Sequence, residues 1–205
     1  MDIQLNFINQ SADANNSQIV IFQKNVATGY EEIAVAWKVI QYCGFGDNHP
    51  FAYPMTMQVS ASDSYGNYTP KLDAQPGDAF QVSLTNSGDM LTKSGKANYP
   101  TEVQVNNNLS QGAINANIYK DNTLLAVKTN VAPSQMAAFQ FLPTIWIGAV
   151  SQVTQGQVMN SAIVDQVDTE LSLLGLYSAD IVMTGGGPGR TSQPFAFTLQ
   201  NIVWA

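Results

Sequence analysis

The sequence predicts an all-β fold, an antiparallel β-sandwich of jelly-roll or immunoglobulin-like kind. Three observations lead there. Apolar and polar residues alternate at period two, turn signals recur about every ten residues, and no long stretch carries the i, i+3, i+4 stripe of an amphipathic helix.

The elements follow in order. "DIQLNFIN" places Ile3, Leu5 and Phe7 on one face, and "SQIVIFQKN" is an apolar run closed by polar residues. "EEIAVAWKVIQYC" sends Ile33, Val35, Trp37 and Val39 to one side. Further strands are predicted at "YPMTMQVSAS", "DAFQVSLTN", "TEVQVNN", "AINANIYKD", "TLLAVKTN", "QMAAFQF", "TIWIGAV", "ADIVMT" and "PFAFTLQNIVW". Between them stand turn formers: "DSYGNY", "QPGD", "NSGD", "KDN", "VAPSQ" and "GGGPG". "NSAIVDQVDTELSLLGLY" fits a helix as well as a strand, because Ile163, Val167 and Leu171 share a face in either.

Short similarities recur at offsets of about 100 residues, the mark of an internal repeat. "IQLN" (3–6) resembles "VQVN" (103–106), and "IFQKN" (21–25) resembles "IYKDN" (118–122). Trp37 has a counterpart in Phe139, and "FQVSLTN" (80–86) in "FAFTLQN" (195–201). A duplication would give two similar halves, 1–95 and 96–205, meeting near "TKSGKANYP" (92–100). The alternative is one intertwined sandwich spanning 1–205.

Composition bounds the function. Of 205 residues, 45% are hydrophobic, enough for a sizeable core, but only 11% are charged, against about 25% in typical domains. Neutral amides and hydroxyls supply the polarity. They offer little repulsion between copies and both donate and accept hydrogen bonds, which suits self-association or polyhydroxyl ligands. A net charge of −7 with eight scattered Lys and Arg argues against nucleic acid. The N-terminus lacks a signal-peptide pattern and no long apolar run occurs. A cytoplasmic protein is therefore expected, with non-classical export or lysis as routes out.

"CGFGDNHP" (43–50) holds the only cysteine and the only histidine, with Asp47 between them. These are the parts of a nucleophilic site, but all three fall in one loop with no helix after it. The same residues read as a turn: Gly44 and Gly46 relax the backbone, and Asp47 and Asn48 bond it. No catalytic residue, metal site or cofactor is expected, since no HxH, CxxC, HExxH or calcium-loop spacing occurs. "TGGGPGR" (184–190) lacks the lysine and helix of a phosphate loop. It reads as a glycine-rich hairpin connection carrying Arg190. The carboxylates Glu31, Glu32, Asp165, Asp168 and Glu170 read as solvated edges.

The residues expected to act lie in loops: Phe45, Asp47, His49, Phe51 and Tyr53 in one group, and Tyr65, Asn67 and Tyr68 in another. Arg190 is added as a loop cation. Loop aromatics beside amides stack on sugar rings, anchor in membranes or fill subunit contacts. Three functions follow. First is a non-enzymatic protein acting by contact, through homo-oligomeric or higher-order, inclusion-type self-assembly. Second is a glycan- or membrane-binding effector, lectin- or cytolysin-like, and third a Cys/His hydrolase.

Overall fold

The computed structural model describes residues 2–27 and 34–205. It holds sixteen strands among them. In chain order these are β1 (Ile3–Asn9), β2 (Gln18–Phe22), β3 (Lys38–Ile40), β4 (Asn48–Tyr53), β5 (Met57–Ser62) and β6 (Leu72–Ala74). Next come β7 (Asp78–Thr85), β8 (Gly88–Lys96), β9 (Val103–Asn107), β10 (Ile114–Lys120), β11 (Thr123–Val131) and β12 (Met136–Phe139). The chain ends with β13 (Thr144–Val150), the one-turn helix α1 (Ser161–Val164), β14 (Thr169–Ser172), β15 (Leu176–Gly186) and β16 (Gln193–Trp204). The fold is all-β and sandwich-like.

The strands form two compact units. Unit 1 comprises Met1–Gln23, Ala36–Met55 and Pro143–Ala205, and unit 2 comprises Lys24–Val35 and Thr56–Leu142. Each holds two four-stranded sheets. In unit 1 the orders are β16-β15-β1-β4 and β14-β13-β2-β3; in unit 2 they are β12-β9-β7-β8 and β11-β10-β5-β6. One central pair per unit is parallel, β1 with β15 and β7 with β9. The other ten pairings are antiparallel, so the predicted antiparallel sandwich holds in the main, with this one departure.

The units share one topology under a simple exchange. Replacing β1–β4 by β9–β12, and β13–β16 by β5–β8, converts every pairing of unit 1 into one of unit 2 with its direction kept. The chain therefore reads as two eight-stranded repeats, β1–β8 and β9–β16, crossed between the units. Unit 1 takes the first half of repeat one and the second half of repeat two; unit 2 takes the remainder. Within a repeat, only pairings of an edge strand with its central neighbour occur. All four central pairings, β1–β15, β2–β13, β7–β9 and β5–β10, join one repeat to the other.

This architecture amends several sequence readings. The expected linker at 92–100 is in large part β8, so a division at 95–96 falls at the end of a paired strand. The compact units are discontinuous in sequence instead. The β1/β9 and β2/β10 similarities fall on equivalent strands. Trp37, however, precedes β3, whereas Phe139 lies in β12, and 80–86 lies mostly in β7 whereas 195–201 lies in β16. These two matches were chance likenesses between strands.

Residues 48–53, whose His49, Phe51 and Tyr53 are expected in or beside a loop, form β4. As the edge of its sheet, β4 tolerates a proline that donates no hydrogen bond. The ambiguous 160–177 segment divides: Asn160 caps the single turn α1 through its side chain, and β14 follows. Glu31, Glu32 and Ile33 lie outside the described residues.

In unit 1 the core is built on alternation. Ile3, Leu5 and Phe7 are buried along β1, Ile19 to Phe22 along β2, and Ile145 and Ile147 along β13. Trp37 is 1% exposed and meets Phe51 and Tyr53 of β4 edge-on, at ring-centre distances of 6.4 and 5.8 Å. It thereby packs one sheet against the other. Unit 2 buries Val59, Phe80, Val105, Ile118, Leu125 and Phe139 in the equivalent places.

Gly148 sits where β13 passes the chain after α1. A Cβ there would lie 2.8 Å from Val167 Cα, which is backbone and cannot swing aside. Gly148→Ala is expected to destabilise the protein by about 1–3 kcal/mol, measured by denaturant unfolding. The crossing of repeats makes a second prediction. A fragment of residues 1–98 lacks partners for all its central strands and should not form a folded monomer, as read by far-UV circular dichroism and sedimentation.

Candidate functional site

The Cys43–His49 segment, whose residue types suggest chemistry, is folded by a closed set of hydrogen bonds. Gly46 N donates to Asn9 O, Asp47 N to Gly44 O and Asn9 N to Asp47 O. Gly44 N donates to Asp47 Oδ2 at 3.0 Å, and Asn9 Nδ2 to Cys43 O at 2.7 Å. The same pattern recurs in unit 2. Ser134 N donates to Asn107 O, Gln135 N to Ala132 O and Asn107 N to Gln135 O. Ala132 N donates to Gln135 Oε1, and Asn107 Nδ2 to Val131 O at 2.9 Å.

"CGFGD" (43–47) and "VAPSQ" (131–135) are thus one turn made twice. Gly46 and Ser134 both take positive φ, 83° and 64°, as do Tyr42 and Asn130 at 56° and 58°. In this correspondence Cys43 matches Val131, and His49, two residues on, matches Ala137. The turn is kept while the cysteine and histidine are not needed for it.

The electrostatics agree with a structural turn. Burial, and next the Asp47 carboxylate, push the Cys43 thiol above its ordinary pKa, against a smaller opposing effect from Asn9. An activated nucleophile requires the opposite shift.

Of the predicted aromatics, Phe45 stands at the tip of this turn, 78% exposed, and Tyr42 beside it is 82% exposed. Phe51 and Tyr53 are not surface residues. Both face the core from β4 against Trp37, and burial pushes the Tyr53 phenol up to about 12, with the Gln23 hydrogen bond acting the other way. His49 is exposed on β4. Arg190 lies exposed in a 3-10 turn, Gly189–Thr191, within the β15–β16 connection of unit 1. That connection needs its glycines: a Cβ on Gly186 would come within 2.9 Å of the Ala12 backbone.

The second predicted loop, 63–68, lines an open pocket of about 430 Å³ in unit 2. The Asp63 carboxylate organises the loop: Oδ1 accepts from Tyr65 N and Asn67 N, and Oδ2 from Asn67 Nδ2 at 2.7 Å. These bonds, with that of the Asn67 side chain foremost, hold its pKa below the usual carboxylate range. Asn67 and Tyr68 line the pocket beside Asp63; Tyr65, 90% exposed, does not. The β7–β8 hairpin adds Ser87 and Asp89 to the lining. Sequence reasoning missed both, since only the pairing of β7 with β8 and β9 brings that hairpin here.

A third feature is the edge of unit 1. β16 runs twelve residues along one side of its sheet without a charged side chain. Its equivalent, β8, is an edge too but carries Lys93 and Lys96, which meet buried Asp78 at 2.8 and 4.0 Å. Equivalent backbone bonds, Ala97 N to Gly77 O and Ala205 N to Gly175 O, align Lys96 with Trp204. Asp78 opposite Lys96 thereby corresponds to Leu176 opposite Trp204. Trp204, Val203, Tyr177 and Leu174 leave an exposed apolar patch around this end of the ladder.

Among the described residues no group of three His, Cys, Asp or Glu could hold a metal ion, and no helix is long and apolar enough to cross a membrane. No family model, curated protein or solved structure matches this chain.

Cys43→Val, which installs the residue of the twin turn, should leave stability within about 0.5 kcal/mol of wild type, checked by denaturant unfolding. Because the thiol pKa is raised, iodoacetamide at pH 8 should alkylate Cys43 more slowly than a free cysteine. The rate should go on rising with pH beyond the point at which the free thiol levels off.

Proposed function

We propose that this protein works by contact rather than catalysis, assembling with copies of itself through the β16 edge of unit 1. One observation carries the reading. Where the twin strand β8 has Lys93 and Lys96, β16 has Leu199 and exposed Trp204. Edge strands present unpaired backbone groups, and lysines on them oppose pairing with a second chain. β8 keeps that protection; β16 lacks it.

The regular stretch available is short. Asn201, at φ 48°, and a register shift bend the strand after Gln200. Antiparallel pairing of residues 195–200 with the same stretch of a second copy would be two-fold symmetric, the commonest way for homo-oligomers to close. The Trp204 patch lies beside it and supplies an aromatic anchor of the kind that dominates interface energies. With only 11% of residues charged, few charged side chains have to be desolvated where copies meet. A cytoplasmic setting accords with a single cysteine and no disulfide partner for it.

Sedimentation velocity between about 10 and 100 µM tests the reading, the range in which a micromolar Kd shows. Wild type is expected as a concentration-dependent oligomer. Trp204→Lys, alone or with Leu199→Lys, should weaken association by about thirtyfold or more, as for an interface anchor, with the circular dichroism spectrum unchanged. A wild-type monomer throughout that range would overturn the proposal.

A further inference from the structure

The pocket of unit 2 has a chemistry separate from the β16 edge. Its apolar lining comes from Ala61 and Ile114 near the ends of β5 and β10 and from Val82 within β7. Beside it stand Tyr68, 65% exposed, and the polar groups of Asn67, Ser87 and Asp89. Asp63 is occupied with its own turn and fixes where Asn67 lies. Tyr68, Ser87 and Asp89 make no side-chain hydrogen bond or ion pair among the described residues, so their polar atoms are available to a ligand.

We propose that this pocket binds a neutral saccharide, one or two sugar rings of an oligosaccharide. A pyranose has an apolar C–H face and a rim of hydroxyls that donate and accept. The Tyr68 ring and the apolar lining suit the first. The Asp89 carboxylate, an acceptor, the Ser87 hydroxyl and the free Asn67 Oδ1 suit the second. The volume lies within the range of ligand pockets.

Other ligand classes fit less well. No Lys, Arg or His lines the pocket, and two carboxylates repel phosphates and other anions. A polyamine would want several free carboxylates, and only Asp89 is free.

The repeat supplies a comparison within the molecule. At the equivalent end of unit 1, Ser17, Val150 and Ser151 take the places of Ile114, Ser62 and Asp63, and an open pocket of about 290 Å³ forms. It is lined by amides and by Tyr42 but has no carboxylate. The two pockets share these positions but take their other walls from different segments, the β7–β8 hairpin in unit 2 and Gln41–Tyr42 in unit 1. The carboxylate, hydroxyl and tyrosine set is particular to unit 2, which makes Tyr42→Ala the fitting control.

Saturation-transfer NMR on the full chain, with cellotetraose, maltotetraose, laminaritetraose and chitotetraose each at about 5 mM, tests the proposal at the millimolar affinities expected of small saccharides. At least one is expected to bind, and Tyr68→Ala and Asp89→Asn should each weaken binding by about tenfold or more. Tyr42→Ala should bind as wild type does. Both substituted residues are exposed, and folding is checked by circular dichroism. No signal from any of the four sugars would overturn the proposal, as would binding insensitive to Tyr68 and Asp89, or binding of spermidine in their place. Repeating the measurement with Trp204→Lys separates this result from assembly.

Discussion

Neither repeat of this chain can pair its own central strands. β1 and β2 find their central partners in β15 and β13, and β5 and β7 find theirs in β10 and β9. A buried strand with unpaired backbone groups forfeits about the value of each missing hydrogen bond, so the crossing of repeats is an obligation. Both units depend on it, and so does the placing of every surface feature described above. It also makes the contacts highly non-local: Gln4 pairs with Ser178. Such topologies close their long loops before gaining the reward and fold slowly.

Duplication lets the molecule serve as its own comparison. Where the twins agree, the shared feature is structural. Asn9 and Asn107 each tie the strand that carries them to the opposite sheet, one through Cys43 O and the other through Val131 O. Each also caps its own strand end, accepting from Ser11 N or Leu109 N. The turn between is held by the same four bonds in both units. The turn itself needs neither Cys43 nor His49, since Val131 and Ala137 stand in their places in the twin.

Where the twins differ, selection for structure is not the explanation near at hand. The β8 edge is guarded by lysines bonded to Asp78, and the β16 edge ends in tryptophan. The strand-end pocket carries carboxylates and an exposed tyrosine in unit 2, amides and a tyrosine in unit 1. One unit thus offers an unguarded edge and the other a pocket lined by unbonded polar groups and a tyrosine. A chain that assembles through one and binds through the other would present its pockets in multiple copies, which raises avidity without any new contact.

Period-two alternation and regularly spaced turn residues determined the all-β class and most of the strands, because each is a local property of neighbouring residues. The 63–68 loop was legible for the same reason, as Asp63, Gly66 and Asn67 are turn chemistry in themselves. The repeat was hinted at by two short matches and became legible only in the strand pairing. Residues 48–53 were read with the glycine-relaxed turn before them, since a proline suits a strand only at an edge and no residue of β4 announces that it is an edge. Tertiary structure alone decided that Phe51 and Tyr53 pack on Trp37, that Ser87 and Asp89 line one pocket with Tyr68, and that β16 lies at an edge. Each depends on which distant strands pair, and strand pairing is set by global packing rather than by any local pattern.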